Sequence, residues 1–299
     1  MQKPKIIAIV GPTASGKTTL GIELAWHVGG EVISADSRQV YRGLDIGTGK
    51  VTPAETRDIP HHLIDIIDVQ ETYTATDFAR DAATAISDIG ARGHVPIIVG
   101  GTFFYLDVLR GRRSPAPTPP NPTFRAELER VTTPELLGRL AAVAPARAAT
   151  IDPHNRRRLI RALEIHASLG HIPNTTNTSP DSPYEWLIIG LNVSADVLRA
   201  NFQRRATDWI TRGLLEESTW LLAQVGATRL AEFGFEYQLA EELRTNTIDQ
   251  STFLKKFEQK NWQYAKRQLT WLKRDDAIEW FTPDQTEAIY QRVANFLTS

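Results

Sequence analysis

The run Gly11, Pro12, Thr13, Ala14, Ser15, Gly16, Lys17, Thr18 matches G-x-x-x-x-G-K-[ST] in full, and no other feature of the chain restricts its fold as much. The glycines let backbone N–H groups close around phosphate oxygens, and the helix that must follow adds the positive end of its dipole. Lys17 reaches the outer phosphates and Thr18 can ligate Mg²⁺. Such a loop sits between a strand and a helix, and both are legible. Residues 6–10 are apolar and β-branched, TLGIELAWHV follows at helical period, and a second strand is expected at 31–34. Together they make a P-loop βαβ unit. Further apolar runs at 62–67, 96–99 and 186–191 alternate with a helical segment at 75–89. The expected fold is α/β: a P-loop NTPase-like parallel sheet with helices on both faces, plus a helical insertion.

The insertion shows as a change of composition. SPAPTPPNP, residues 114–122, reads as a stiff linker, helical stretches run from 123 to about 170, and the polar PNTTNTSPDSP, 173–183, reads as a mobile loop. The core is therefore expected to comprise 1–113 and 184–299, with 114–183 inserted. Helical periodicity returns at 202–210, 214–222, 236–243 and 252–273. Apolar residues at 41% and charged residues at 23% are the balance of a soluble globular protein, and no run of eighteen apolar residues suggests a membrane span. Nothing at the start resembles a signal sequence, so a cytoplasmic location is expected. The absence of cysteine excludes disulfides, thiolate zinc sites and cysteine nucleophiles.

Three clusters carry chemistry. In SADSRQVYRGLDIGT, 34–48, Asp36 stands just past the second strand, at the sheet end where ligands gather in open α/β folds. Its alternatives are a helix N-cap or a water-mediated Mg²⁺ ligand. Ser37, Arg38, Gln39, Tyr41 and Arg42 follow, donors and a ring suited to a nucleotide. After the 96–99 run, Gly100 and Gly101 permit close backbone approach and Thr102 offers a hydroxyl to the crevice. Asp65 and Asp68 are the nearest candidates for a Walker-B-like carboxylate. Against a net charge of −1, two segments are basic: DPHNRRRLIRALE, 152–164, and FLKKFEQKNWQYAKRQLTWLKR, 253–274, the second with interleaved aromatics. They suit a polyanion with stackable bases, or else are solvated helix faces.

SADSRQVYRGLDIGT, PHHLIDI, GGTFFY, DPHNRRRLIRALE, GLLEE and YAKRQLTW, in this order behind GPTASGKT, resemble the tRNA dimethylallyltransferases of bacterial type, over nearly the whole chain. The usual IGTAKP reads IGTGKV here, GTGLY reads GTFFY, and Asn201 stands where an arginine is common. The resemblance implies transfer of a dimethylallyl group from dimethylallyl diphosphate to the exocyclic amine of the adenosine 3′ of the anticodon, with Mg²⁺ on Thr18. It implies Asp36 as general base, with Lys17, Thr102 and Arg205 also catalytic, and residues 11–18 as the diphosphate cradle. Contacts to the tRNA anticodon stem-loop are implied for Asp36, Ser37, Arg38, Gln39, Thr102, Arg125, Asn155, Arg156, Arg157, Arg158, Leu159, Lys266, Arg267, Gln268 and Lys273. The partners are then tRNA and dimethylallyl diphosphate, and a monomer is expected. Rival readings are a P-loop small-metabolite kinase, an adenylate isopentenyltransferase acting on free nucleotide, and an RNA-stimulated ATPase. The kinase leaves both basic segments idle, and the free-nucleotide enzyme has little use for them.

Overall fold

The computed structural model describes residues 3–173 and 182–299. Six strands form one parallel sheet in the order β3-β2-β4-β1-β5-β6. They are β1 (Lys5–Val10), β2 (Gly30–Ser34), β3 (His61–His62), β4 (Val95–Val99), β5 (Glu185–Leu191) and β6 (Ile278–Phe281). Successive residues of a strand point to opposite faces, and β1 is apolar on both. Ile6, Ala8 and Val10 pack under α2 (Ala75–Ala91) and α3 (Phe103–Leu109), while Ile7 and Ile9 pack under α1 (Lys17–Val28). On the α1 side lies also α12 (Thr286–Thr298), through Ile289, Val293 and Phe296.

Local chemistry sets the helix limits. Gly16 and Gly29 flank α1 with φ of 91° and 64°, values at which a side chain is strained. Thr74 and Asp77 close a capping box at the start of α2. Four helices, α8 (Ala195–Arg212), α9 (Leu214–Phe233), α10 (Phe235–Arg244) and α11 (Gln250–Leu272), share a second core around Trp209, Phe233, Tyr237 and Phe257. Gly226, at φ 73° and ψ 170°, kinks α9.

Four helices follow Gly111: α4 (Pro122–Glu129), α5 (Thr133–Val143), α6 (Pro145–Ala148) and α7 (Arg156–Leu169). They form a separate compact unit with its own core of Leu128, Leu136, Leu140, Leu159 and Leu163. The loop expected at 173–183 falls at 174–181 outside the described residues.

At the amino end of the sheet, Glu31 of β2 is buried and bonded by three partners. Arg92 forks onto it at 3.0 and 2.7 Å, and His62 and His94 each approach at 2.6 Å. The Arg92 bond, with lesser help from the histidines and against the effect of burial, lowers its pKa to about 2.

One expectation needs correction. The run 62–67 is not a strand beyond His62, because Leu63 and Asp65 adopt φ of 62° and 56°, which no extended chain tolerates. Instead it curls beside residues 39–42, with Ile66 N–H donating to Val40 and Arg42 N–H to Ile67. The pair β6 and α12 went unforeseen. Among the described residues no helix is long and apolar enough to cross a membrane.

Candidate active site

The strand order reverses at β1, and a cleft of about 780 Å³ opens at its carboxyl end. The phosphate loop forms its floor. Ala14 holds a left-handed φ of 62°, a conformation costly to a residue with a side chain, and Asn201 of α8 donates to its carbonyl at 2.9 Å. From the same helix Arg205 donates to Thr13 Oγ1 at 2.9 Å, its charge disfavoured by burial. Lys17 Nζ donates to the Pro12 carbonyl at 2.7 Å, and burial, then Arg205, bring its pKa down to about 7 against the pull of Asp36. Lys17 and Arg205, both half-buried at the cleft, disfavour one another's charge, a pairing that suits an anionic ligand.

Asp36 also lines the cleft. Its Oδ1 accepts the N–H groups of Arg38 at 2.8 Å and Gln39 at 3.3 Å, an Asx-turn, and no helix follows for it to cap. Its Oδ2 carries no such bond within the turn. Thr102 supports the turn from outside the cleft: its N–H donates to the Ala35 carbonyl at 3.1 Å and its hydroxyl accepts the Ser37 N–H at 3.0 Å. Gly100 makes this possible, since a Cβ there would lie 2.2 Å from the Ala35 oxygen.

The other sequence candidates divide. Arg38 and Gln39 line the cleft but are bonded internally, Arg38 to Glu236 at 2.8 Å and Gln39 to the Gly49 carbonyl at 3.2 Å. Tyr41 is core, and Arg42 pairs with Asp68. Asp65 pairs with buried Lys50 at 2.6 Å, so neither Asp65 nor Asp68 belongs to the cleft as a Walker-B-like carboxylate would. On α11 Lys266 and Arg267 are exposed, as is Lys273 at its C-cap. Gln268 is not: 5% exposed, it points inward to the Thr13 N–H and the Gly101 carbonyl, which corrects its reading as a backbone grip. In the helical unit, Asn155 caps α7 through the Arg158 N–H, Arg157 and Arg158 are exposed, and Arg156 is tied to Glu129. Arg125 forks onto buried Glu164 with two bonds of 2.9 Å. Leu159 is wholly buried in that unit's core and offers no side chain to a ligand.

Sequence reasoning missed several parts of the site. Trp209 and Tyr264 line the cleft. Glu217, within GLLEE, accepts the consecutive N–H groups of Asp45, Ile46 and Gly47 at 2.9, 2.7 and 2.9 Å, and the Tyr237 hydroxyl at 2.8 Å. It thereby fixes the 47–50 wall of the cleft. Tyr264 and Gln268 stand four residues apart on α11, and that spacing was the available signal.

The sequence model of the family described as IPP transferase matches residues 39–275. The chain belongs to the IPP transferase family. Among its relatives, a tRNA dimethylallyltransferase of Thermomicrobium roseum is 42% identical over 99% of this chain and 92% of its own. Another of Levilactobacillus brevis is 39% identical over 98% of each. Of solved structures, a tRNA isopentenylpyrophosphate transferase of Bacillus halodurans has 34% identity and a TM-score of 0.73, covering 99% of this chain and 97% of its own. A eukaryotic dimethylallyltransferase acting on tRNA has 28% identity and a TM-score of 0.74, over 93% and 74%. As an IPP transferase the chain is an enzyme, a transferase, on an α/β fold of the P-loop NTPase type.

Proposed function

We propose that this IPP transferase moves a dimethylallyl group from dimethylallyl diphosphate to the N6 amine of the adenosine immediately 3′ of the anticodon, in tRNAs reading codons that begin with U. The products are N6-isopentenyladenosine and diphosphate. The observation that carries the reading is one cleft lined by a phosphate loop, by the half-buried cations Lys17 and Arg205, and by a carboxylate with an oxygen to spare.

The allylic C–O bond breaks as the C–N bond forms, and negative charge develops on the departing diphosphate. Lys17, Arg205 and the amides of residues 14–18, the Thr13 amide being held by Gln268, are available to receive that charge. The adenine amine is a weak nucleophile because its lone pair is delocalised into the ring. Asp36 Oδ2 takes its proton, and Thr102 holds the turn that aims it. Reaching the base requires its extrusion from the anticodon loop. Arg38 and Gln39 then reach it by exchanging internal bonds for bonds to the nucleotide. Arg157, Arg158, Lys266, Arg267 and Lys273, all exposed, supply phosphate contacts.

No cluster of three His, Asp or Glu side chains suited to a metal exists among the described residues. The site fits Mg²⁺ nonetheless, because that ion keeps waters and substrate phosphates and asks for few protein oxygens. The exposed Thr18 hydroxyl at the cleft would hold it. When bound, it neutralises phosphate charge. The enzyme works as a monomer, in the cytoplasm, where tRNA is.

Incubation with unmodified tRNA and radiolabelled dimethylallyl diphosphate tests the reading. Label is expected in a single adenosine of tRNA. Label in free AMP instead, or phosphate release from ATP without prenyl transfer, overturns it.

A further inference from the structure

Gln268 has no place in the chemistry described so far, although its side-chain amide is bonded at both ends. Oε1 accepts the Thr13 N–H at 2.8 Å and Nε2 donates to the Gly101 carbonyl at 3.1 Å. Thr13 belongs to the phosphate loop. Gly101 precedes Thr102, which holds the Ala35 carbonyl and the Ser37 N–H, the two residues on either side of Asp36. One buried amide therefore joins the cradle of the donor to the turn that carries the proton acceptor.

We infer that Gln268 is a positioning residue that sets the separation between the bound allylic diphosphate and the Asp36 carboxylate. The inference rests on the function proposed above and adds a part to it. In a displacement where C–N forms as C–O breaks, the reacting carbon is fixed by the cradle and the amine by the Asp36 turn. A mismatch of about 1 Å between them costs on the order of 10² in rate. Two further observations favour this role over a contact with RNA. Both polar atoms of Gln268 are already spent on the protein, whereas its neighbours Lys266 and Arg267 are exposed. Gly101 also makes room for the amide: a Cβ there would lie 2.8 Å from Gln268 Nε2 and near nothing else.

The test is single-turnover labelling of tRNA with both substrates saturating, alongside tRNA binding and thermal melting. Gln268→Leu removes both bonds. Gln268→Glu keeps the acceptor for Thr13 and loses the donor for Gly101. Gly101→Ala displaces the amide without altering it. All three are expected to slow the chemical step, Gln268→Leu by roughly 10- to 100-fold, while tRNA affinity stays within about twofold of the original. An unchanged step in Gln268→Leu overturns the inference. So does a loss of tRNA affinity with a normal saturated rate, which makes Gln268 a grip on RNA. If Gln268→Leu melts before assay, Gln268→Glu and Gly101→Ala decide by the same two criteria. Failure of the unaltered enzyme to label tRNA at all defeats the proposed function instead, and so remains distinguishable.

Discussion

In the proposed reaction Asp36 divides its carboxylate between two tasks, Oδ1 bonding its own turn and Oδ2 taking the proton. Removing it should therefore damage the turn little if the helix-free loop is also held by Thr102. Asp36→Ala is expected to lower the single-turnover rate by roughly 10² to 10⁴ with tRNA affinity nearly unchanged; weakened binding with normal chemistry would reduce Asp36 to a mere grip on the nucleotide. Glu31 acts on stability alone. Its pKa is depressed to about 2, so its contribution is fully present above the ordinary glutamate range and disappears as pH falls through about 2. Glu31→Gln should cost on the order of 1 kcal/mol at pH 7, since it gives up the ion pair with the half-exposed Arg92, and the difference from the original protein should shrink as pH falls from about 4.5 towards 2. Denaturant midpoints at neutral and acid pH measure both effects. At this scale the sequence exposes residues whose place is dictated by a strand end, such as Asp36. It hides Gln268, because a glutamine amid lysines and arginines on a basic helix looks like one more hold on phosphate. Leu159 misleads for a similar reason: consecutive helical residues cannot all face outward.

Among the elements, α11 has an inner side that packs Phe253, Phe257 and Leu272 and an outer side with Lys266 and Arg267, continued by Lys273 at its C-cap. Its aromatics serve core and cleft while these cations stay outside. Replacing Lys266 and Arg267 by alanine should weaken tRNA binding and lower the slope of log affinity against log salt by about 0.7 to 0.9 for each phosphate that no longer meets a cation. An unchanged slope would leave the outer side merely solvated. Strands β1, β4 and β5 were legible because buried parallel strands are largely apolar runs, and β2, GEVIS, by its place after the helix of the P-loop unit. The run at 62–67 imitates one, and only the left-handed backbone at Leu63 and Asp65, a tertiary effect, rules it out. IEWF of β6 is four residues long and only partly buried, too short for a pattern to stand out.

On the scale of the whole molecule, the helical unit has a leucine core of its own and the donor cradle lies wholly in the other unit. Replacing Gly111–Pro180 by a long Gly/Ser linker should leave binding of dimethylallyl diphosphate intact and abolish labelling of tRNA. Donor binding measured by calorimetry checks the first, and its disappearance would show that the two units fold interdependently. The interruption has a further meaning in time. β1 pairs with β4 on one side and with β5 on the other. During synthesis β4 emerges before the helical unit and β5 after it, so for on the order of ten seconds the ribosome displays a sheet whose middle strand has an open ladder. Through that interval a strand destined for the centre of the sheet behaves as an edge, open to pairing with another chain until β5 covers it.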